Sequence, residues 1–203
     1  MKTIVVDGKA VTPSKVVCVG RNYVEHIAEL GNDVPDEMVV FFKPNSAISD
    51  QLISSHQEQL HYEGEICFVY NQGRFSAVGF GLDLTKRGLQ SKLKDKGLPW
   101  ERAKSFDGAA VLSEFVNIDE VSDELSLTLS IDGELTQQGG VPLMMYKPSD
   151  ILAQLQSFIT LEDGDVVMTG TPKGVGKIAK GSKFEAHILQ GEQRLVSASW
   201  LAN

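Results

Sequence analysis

Two glutamates stand one residue apart in His61-Tyr-Glu-Gly-Glu65, and an aspartate follows in Gly81-Leu-Asp-Leu-Thr85. The run from His61 to Tyr70 has strand character. Side chains alternate faces along a strand, so Glu63 and Glu65 share one. Ile66, Cys67, Phe68 and Val69 then carry the chain into a core. Carboxylates crowded at the edge of a core repel each other and resist desolvation. A divalent cation removes both problems. Asp83 would complete one face of an all-oxygen site and leave positions for water or substrate. Oxygen-only ligation selects Mg²⁺, Mn²⁺ or Ca²⁺ over Zn²⁺. Taken alone, a Glu-x-Glu pair is most often a solvated strand face, so the weight falls on what accompanies it.

The elements that must hold these groups are mostly strands. Asp7-Gly8 and Asp132-Gly133 each separate short β-prone runs and predict hairpins. Val16 to Val19 reads as a buried strand, and Met38 to Lys43 as another, stopped by Pro44-Asn45. Residues 45–60 are polar and irregular. Strands are expected at 61–70, 76–84, 125–131, 165–169 and from Phe184 onward. Tyr23 to Leu30 is a short helical candidate ended by Gly31 and Asn32. Residues 85–96 form a basic amphipathic helix closed by Gly97 and Pro99. Ser149 is the expected N-cap of a helix through Phe158. No repeat, linker or low-complexity tract interrupts the pattern. The reading is one β-rich α+β domain over residues 1–203 with few short helices.

At 203 residues the chain can bury a sizeable core. Its net charge of −8 argues against a general binder of nucleic acid or anionic membrane, though not against a small anionic substrate. Cys18 and Cys67 both fall in apolar strand runs. They fit buried thiols in a reducing cytoplasm better than a disulfide. No signal peptide or spanning segment is visible.

Several unusual stretches surround the carboxylates. They are Cys18-Val-Gly-Arg-Asn-Tyr-Val-Glu-His26 with Glu29, Val40-Phe-Phe-Lys-Pro44, Leu98-Pro-Trp-Glu-Arg-Ala-Lys-Ser-Phe106 and Met168-Thr-Gly-Thr-Pro-Lys-Gly-Val-Gly176. In this order, from about Lys15 to the C terminus, the chain resembles the fumarylacetoacetate hydrolase superfamily. The likeness is greatest to its short, single-domain acylpyruvate hydrolase and oxaloacetate decarboxylase branch. The resemblance implies a rolled, mixed β-sheet with the metal at its open end, a homodimer, and Mg²⁺ or Mn²⁺ on Glu63, Glu65 and Asp83. It implies that His26 and Glu29 form a catalytic pair on a mobile lid. The segment Tyr23 to Asn32 that would form it is short, ends in Gly31-Asn32 and runs into the polar stretch Asp33 to Glu37, so little apolar area is expected to hold it closed. The resemblance also makes Lys104 catalytic and substrate-facing, and brings Thr171 to the substrate. Arg21 and Gln90 complete the substrate-binding candidates.

Each role has a physical rationale. His26 and Glu29, three apart, share a helix face. A carboxylate on one imidazole nitrogen fixes the tautomer and leaves the other nitrogen to take a proton. A partly buried Lys104 can stabilise enolate charge. The implied substrate is a small anionic 2-oxo acid. The leading expectation is a metal-dependent hydrolase of a C–C bond in acylpyruvates, with oxaloacetate decarboxylation as a possible companion activity. The alternative is an isomerase or tautomerase acting on oxaloacetate or an unsaturated 2-oxo diacid. A metal-stabilised binding protein is the non-enzymatic option. Two departures stand out. Gly88 replaces an acidic residue of the branch's Thr-x-Arg-Asp-x-Gln run, which bears on Arg87 and Gln90. Gly64 stands where an apolar residue is common and predicts a loosened strand.

Overall fold

The computed structural model describes residues 1–29, 31 and 35–203. The chain opens with a hairpin of β1 (Ile4–Val6) and β2 (Lys9–Val11). Asp7 and Gly8 both take positive φ there, the geometry that matches strand twist in a two-residue turn. Next come β3 (Lys15–Gly20), α1 (Val24–Glu29), β4 (Val39–Pro44) and β5 (Ile48–Ser49). β6 (His61–Tyr62), β7 (Gly64–Asn71) and β8 (Arg74–Asp83) follow. α2 (Arg87–Asp95) and α3 (Glu101–Lys104) lead to β9 (Ala110–Leu112) and β10 (Val116–Asn117). The last part holds β11 (Leu125–Ile131), β12 (Glu134–Gly140), α4 (Pro148–Gln156), β13 (Val166–Met168), β14 (Gly176–Lys177), β15 (Lys183–Gln190) and β16 (Gln193–Leu201).

Two sheets dominate. The larger is mixed and curls into a half-barrel, in the order β4-β3-β13-β7-β8-β9-β5, with β10 also on β8. β13 runs parallel to β3 and β5 parallel to β9, and the other pairs are antiparallel. The smaller sheet, β12-β11-β15-β16, is antiparallel throughout. It packs on one face of the large sheet through Trp200 against Phe80, and its Phe184 also meets Tyr62 of the separate β6–β14 pair. The clean alternation of Leu125, Leu127 and Leu129 buries one face of β11, as its sequence predicts. A second apolar cluster on the large sheet contains Cys18, Cys67, Met168 and Phe115, and the β1–β2 hairpin contributes Ile4 and Val6 to it. Both thiols are free, and burial, then nearby carboxylates, pushes them up from their usual range. No helix among the described residues is long and apolar enough to cross a membrane.

The structure corrects the sequence reading in four places. The expected strand 61–70 is two strands, because the chain changes partner at Glu63. Tyr62 pairs with Gly176 on β14, whereas Gly64 pairs with Leu82 on β8. Gly64 does not loosen its strand. A Cβ there would lie 2.9 Å from both Gln137 Oε1 and the Phe80 ring, so the glycine permits close packing. Ser149 is not the cap of α4. Lys147 holds that position, Pro148 follows, and the Asp150 carboxylate accepts the Lys147 N–H at 3.1 Å. The helix ends at Gln156, and Phe158 lies beyond it, exposed. α3 had no sequence signal, being four residues long and flanked by Pro99 and Trp100.

One buried carboxylate locks the parallel β3–β13 pair. Asp165, fully buried, accepts from Ser14 Oγ at 2.7 Å, from the N–H groups of Ser14, Lys15 and Glu162, and from the Lys15 ammonium. Burial would raise its carboxyl, but the Lys15 ammonium, the Glu162 N–H and the Ser14 hydroxyl together hold it below the usual 3.8. A lowered folded value means stabilisation that is present above pH 3.8 and lost as the pH falls through the lowered value. Asp165→Asn is expected to cost about 1.5–3 kcal/mol at pH 7 in denaturant unfolding. The gap from wild type should narrow below pH 3.8. A gap independent of pH would show that the charge of Asp165 is not what stabilises the pair.

Candidate active site

The β7–β8 register sets the site. Pairing of Gly64 with Leu82 and Glu65 with Gly81, continued by the Asp83 N–H to Glu63 O bond, brings the three acidic side chains to one end of two neighbouring strands. Glu63, Glu65 and Asp83 are all buried, and one carboxylate oxygen from each lies within 4.8 Å of the others. Cations surround them. Lys104 Nζ lies 2.8 Å from Glu63 Oε2, 2.7 Å from Asp83 Oδ2 and 2.7 Å from Thr85 Oγ1. Lys43, wholly buried, places its ammonium 2.8 Å from Asp83 Oδ1 and also donates to the Lys104 carbonyl. Arg87 pairs with Glu63 through one nitrogen and donates to Gln90 Oε1 at 2.8 Å through another.

The three acids have different surroundings. Burial would raise Glu63, but Lys104 and Arg87 hold it well below the ordinary carboxylate range. Burial raises Glu65 well above that range, and repulsion from Asp83 and Glu63 adds to it. Glu65 has the Gly170 N–H at 2.7 Å as its hydrogen-bond partner, with no ion pair among the described residues. Burial would lower Lys104, but Asp83 and Glu63 raise it above its usual value and keep it charged. All three Lys104 protons are directed at acceptors, so it is a fixed ammonium, suited to stabilising charge rather than to taking a proton.

The donor set fits a hard divalent cation. It is all carboxylate, and Asp83 Oδ1 is buried without a hydrogen bond despite its contact with Lys43. Glu65 carries the least compensated charge of the three, which a cation would relieve.

His26 and Glu29 meet as their spacing predicts, with Nδ1 3.2 Å from Oε2. The pair lies closed over the site. Glu29 accepts the Gly174 N–H at 3.0 Å, and His26 lines a small cleft together with the three acids. Tyr23 and Ile27, each 2% exposed, bury apolar surface beneath this segment, contrary to the expectation of little apolar area. Gly31 ends the helix through its N–H to the Ala28 carbonyl; Asn32 lies outside the described residues. Arg21, Arg87, Gln90, Lys104 and Thr171 line the same cleft, so the sequence-predicted residues come together. Thr171 is committed elsewhere, however. Its hydroxyl donates to Gly64 O at 2.9 Å and accepts from Gln137 Nε2 at 2.9 Å, so it shapes the turn instead of offering a proton.

Four contributors were not singled out from the sequence. Gln137, buried on β12, receives the Gly64 N–H and donates to Thr171 Oγ1 and the Pro172 carbonyl, stapling the Gly-rich turn to β7. Asn22 ties the β3–α1 connection to Thr169 O at 2.8 Å and to both backbone groups of Tyr146. Lys94 and Trp100 line the cleft. Lys43, which the sequence placed only at the end of a strand, also touches Asp83 directly. The polar run at Gln137 and the lone asparagine in Gly20-Arg-Asn-Tyr23 were weak signals, because their partners lie more than 30 residues away in sequence.

Gly88 does not leave the α2 terminus uncapped. Glu58 reaches from the β5–β6 connection, and its Oε1 accepts the Gly88 N–H at 2.9 Å and the Leu89 N–H at 3.4 Å. An acidic group thus still faces the positive end of this helix, and Arg87 and Gln90 keep their mutual bond. A Cβ at Gly88 would stand 3.3 Å from Glu58 Oε1, so the glycine leaves room for it.

Residues 15–197 match the fumarylacetoacetate (FAA) hydrolase C-terminal family, and the chain belongs to that family. It is similar to the oxaloacetate tautomerase YcgM of Escherichia coli, 40% identical over 198 residues that cover 87% of this chain and 90% of that protein. The human mitochondrial oxaloacetate tautomerase FAHD1 is 38% identical over 191 residues, 85% of this chain and 86% of that one. Among solved structures, fumarylpyruvate hydrolase from Pseudomonas aeruginosa in complex with Mn²⁺ and pyruvate superposes with a TM-score of 0.88. It is 28% identical and covers 99% of this chain and 95% of that one.

Two outcomes are expected. Saturating Mg²⁺ or Mn²⁺ should raise the melting temperature of the wild type, because a cation that binds only the folded triad adds its binding free energy to stability. Glu65→Gln should abolish most of that rise, and an undiminished rise would place the cation elsewhere. Glu58→Ala should cost about 1 kcal/mol in denaturant unfolding as a lost helix cap. Gly88→Asp in the same chain should restore most of it; no restoration would mean that Glu58 acts other than as a cap.

Proposed function

We propose that the protein equilibrates the keto and enol forms of oxaloacetate, a small anionic 2-oxo acid, with Mg²⁺ or Mn²⁺ on Glu63, Glu65 and Asp83. The observation that carries this reading is the His26–Glu29 pair lying over a fixed ammonium and three buried carboxylates in one cleft. The tautomerase activity of relatives 38–40% identical over most of their length supports it. The bound cation would supply Lewis acidity toward the 2-oxo and adjacent carboxylate oxygens. His26, oriented through Nδ1 by Glu29, carries the proton between C3 and the enol oxygen on its other nitrogen. Lys104 stabilises the enolate charge that develops while the proton is away. Arg87 and Gln90 hold each other on the same side of the cleft and position the substrate. Tautomerisation moves a proton and needs no attacking water.

A homodimer in a reducing compartment belongs to the same proposal. The free buried thiols and the exposed Leu135 and Leu143 support it. Hydrolysis of an acylpyruvate is the second reading. It is favoured by the likeness to the fumarylpyruvate hydrolase structure, since His26 could equally activate a water.

The test is a substrate panel with added Mg²⁺, following enol absorbance with oxaloacetate and pyruvate release with acylpyruvates. Rapid equilibration of oxaloacetate is expected, with little acylpyruvate cleavage. His26→Ala should slow equilibration by about 10²–10⁴-fold, the usual worth of a positioned acid–base group. Pyruvate release without accelerated oxaloacetate equilibration would overturn the tautomerase reading in favour of the hydrolase.

A further inference from the structure

The cleft carries a cation that neither the metal site nor the proposed proton transfer uses. Lys94 lies on α2, four residues after Gln90 and seven after Arg87, so the three share one helix face. All three line the cleft. The other cleft cations on this side have anionic partners, Lys104 with Glu63 and Asp83, and Arg87 with Glu63. Lys94 is half-buried, and among the described residues its ammonium has no ion pair and no hydrogen bond. Its contact is the Trp100 ring, 4.9 Å from Nζ to the centroid. An ammonium resting on an indole face in the wall of a pocket is oriented but not neutralised.

We propose that Lys94 binds the far carboxylate of a dicarboxylate 2-oxo acid, so that the cleft selects diacids over 2-oxo acids with an uncharged tail. The assignment rests on the 2-oxo acid reading of the site and names the residue that reads the other end of the substrate. A 2-oxo acid directed to the three acids through its carboxylate and 2-oxo group would leave its remaining carbons to the other groups that line the cleft, Lys94 among them. A four-carbon diacid carries its second negative charge there, where Lys94 lacks one. The electrostatics agree. Burial, then repulsion from Arg21 and Arg87, lowers the Lys94 ammonium to about 8, with Glu63 opposing. A bound carboxylate would relieve that repulsion and hold the lysine charged. Trp100 contributes by fixing the side chain and by shielding the pair from solvent on one side.

The experiment compares wild type, Lys94→Gln and Lys94→Arg with Mg²⁺ present. It measures oxaloacetate equilibration kinetics and calorimetric binding of oxalate, which has no far carboxylate. Lys94→Gln should raise the KM for oxaloacetate about tenfold with kcat within about twofold, as loss of a charge pair at a binding site does. Oxalate affinity should not change, and Lys94→Arg should recover most of the loss. An unchanged KM would overturn the proposal. So would an equal weakening of oxalate, which would mark a general field effect. A fall in kcat at constant KM would also overturn it and make Lys94 a proton carrier instead. If the wild type does not turn over oxaloacetate, the tautomerase reading fails on its own. Calorimetry of oxaloacetate against pyruvate then decides about Lys94. A diacid preference that Lys94→Gln removes upholds the proposal, and its absence, or its survival in Lys94→Gln, overturns it.

Discussion

Three carboxylates buried within reach of one another repel strongly and cannot all be solvated, so everything around them must compensate. This protein does so with Lys43, Lys104 and Arg87, which between them contact Glu63 and Asp83. Glu65 keeps the Gly170 N–H as its hydrogen-bond partner. The compensation is therefore uneven, and it leaves one carboxylate under pressure to protonate or to meet a cation. A group of apolar residues in the same place would be more stable. The cost of burying these charges is understandable only if the negative potential is used.

The rest of the fold follows from holding that cluster in place. Two adjacent antiparallel strands supply Glu65 and Asp83, Glu63 sits at the break just before β7 with its carbonyl bonded to the Asp83 N–H, and sheet register fixes the separation of the acids. The Gly-rich turn is held against them by Gln137 from the other sheet and by Asn22 from the β3–α1 connection. α1 then closes through Glu29, whose carboxylate is shared between His26 and the Gly174 N–H. One hydrogen-bonded chain thus links the His26 imidazole to the same turn that touches Glu65. The helix bearing Arg87, Gln90 and Lys94 is anchored by Glu58 at its start and by Gly97 at its end, where the Gly97 N–H meets the Lys94 carbonyl.

Much of this was legible in the sequence, and for identifiable reasons. Period-two alternation marks β11, and Asp-Gly pairs mark both hairpins, because these signals are local. The Glu63–Glu65 and His26–Glu29 spacings are local in the same way, whereas the roles implied for them rest on the family resemblance. What was not legible depended on distant partners. Glu58 gives no sign in its own polar loop that it caps a helix 30 residues later. Gln137 looks like a surface strand residue until the second sheet folds onto Gly64. The strand break at Glu63 arises from a change of pairing partner, which no property of residues 61–65 announces. Gly64 and Gly88 read as weaknesses in the sequence, yet each makes room for a side chain from elsewhere. The family resemblance pointed to these residues but did not choose among hydrolysis, decarboxylation and tautomerisation, because all three would draw on the same stabilised enolate charge and differ in which bond breaks.

The proposed chemistry depends on one divalent cation that the buried triad would hold and the 2-oxo acid would meet. Electron paramagnetic resonance of Mn²⁺ added to the purified protein tests it most directly. The account predicts one bound Mn²⁺ per chain, a spectrum that changes when oxalate is added, and loss of both in Glu65→Gln. Mn²⁺ that stays free in solution, or a bound signal indifferent both to oxalate and to Glu65→Gln, would contradict it.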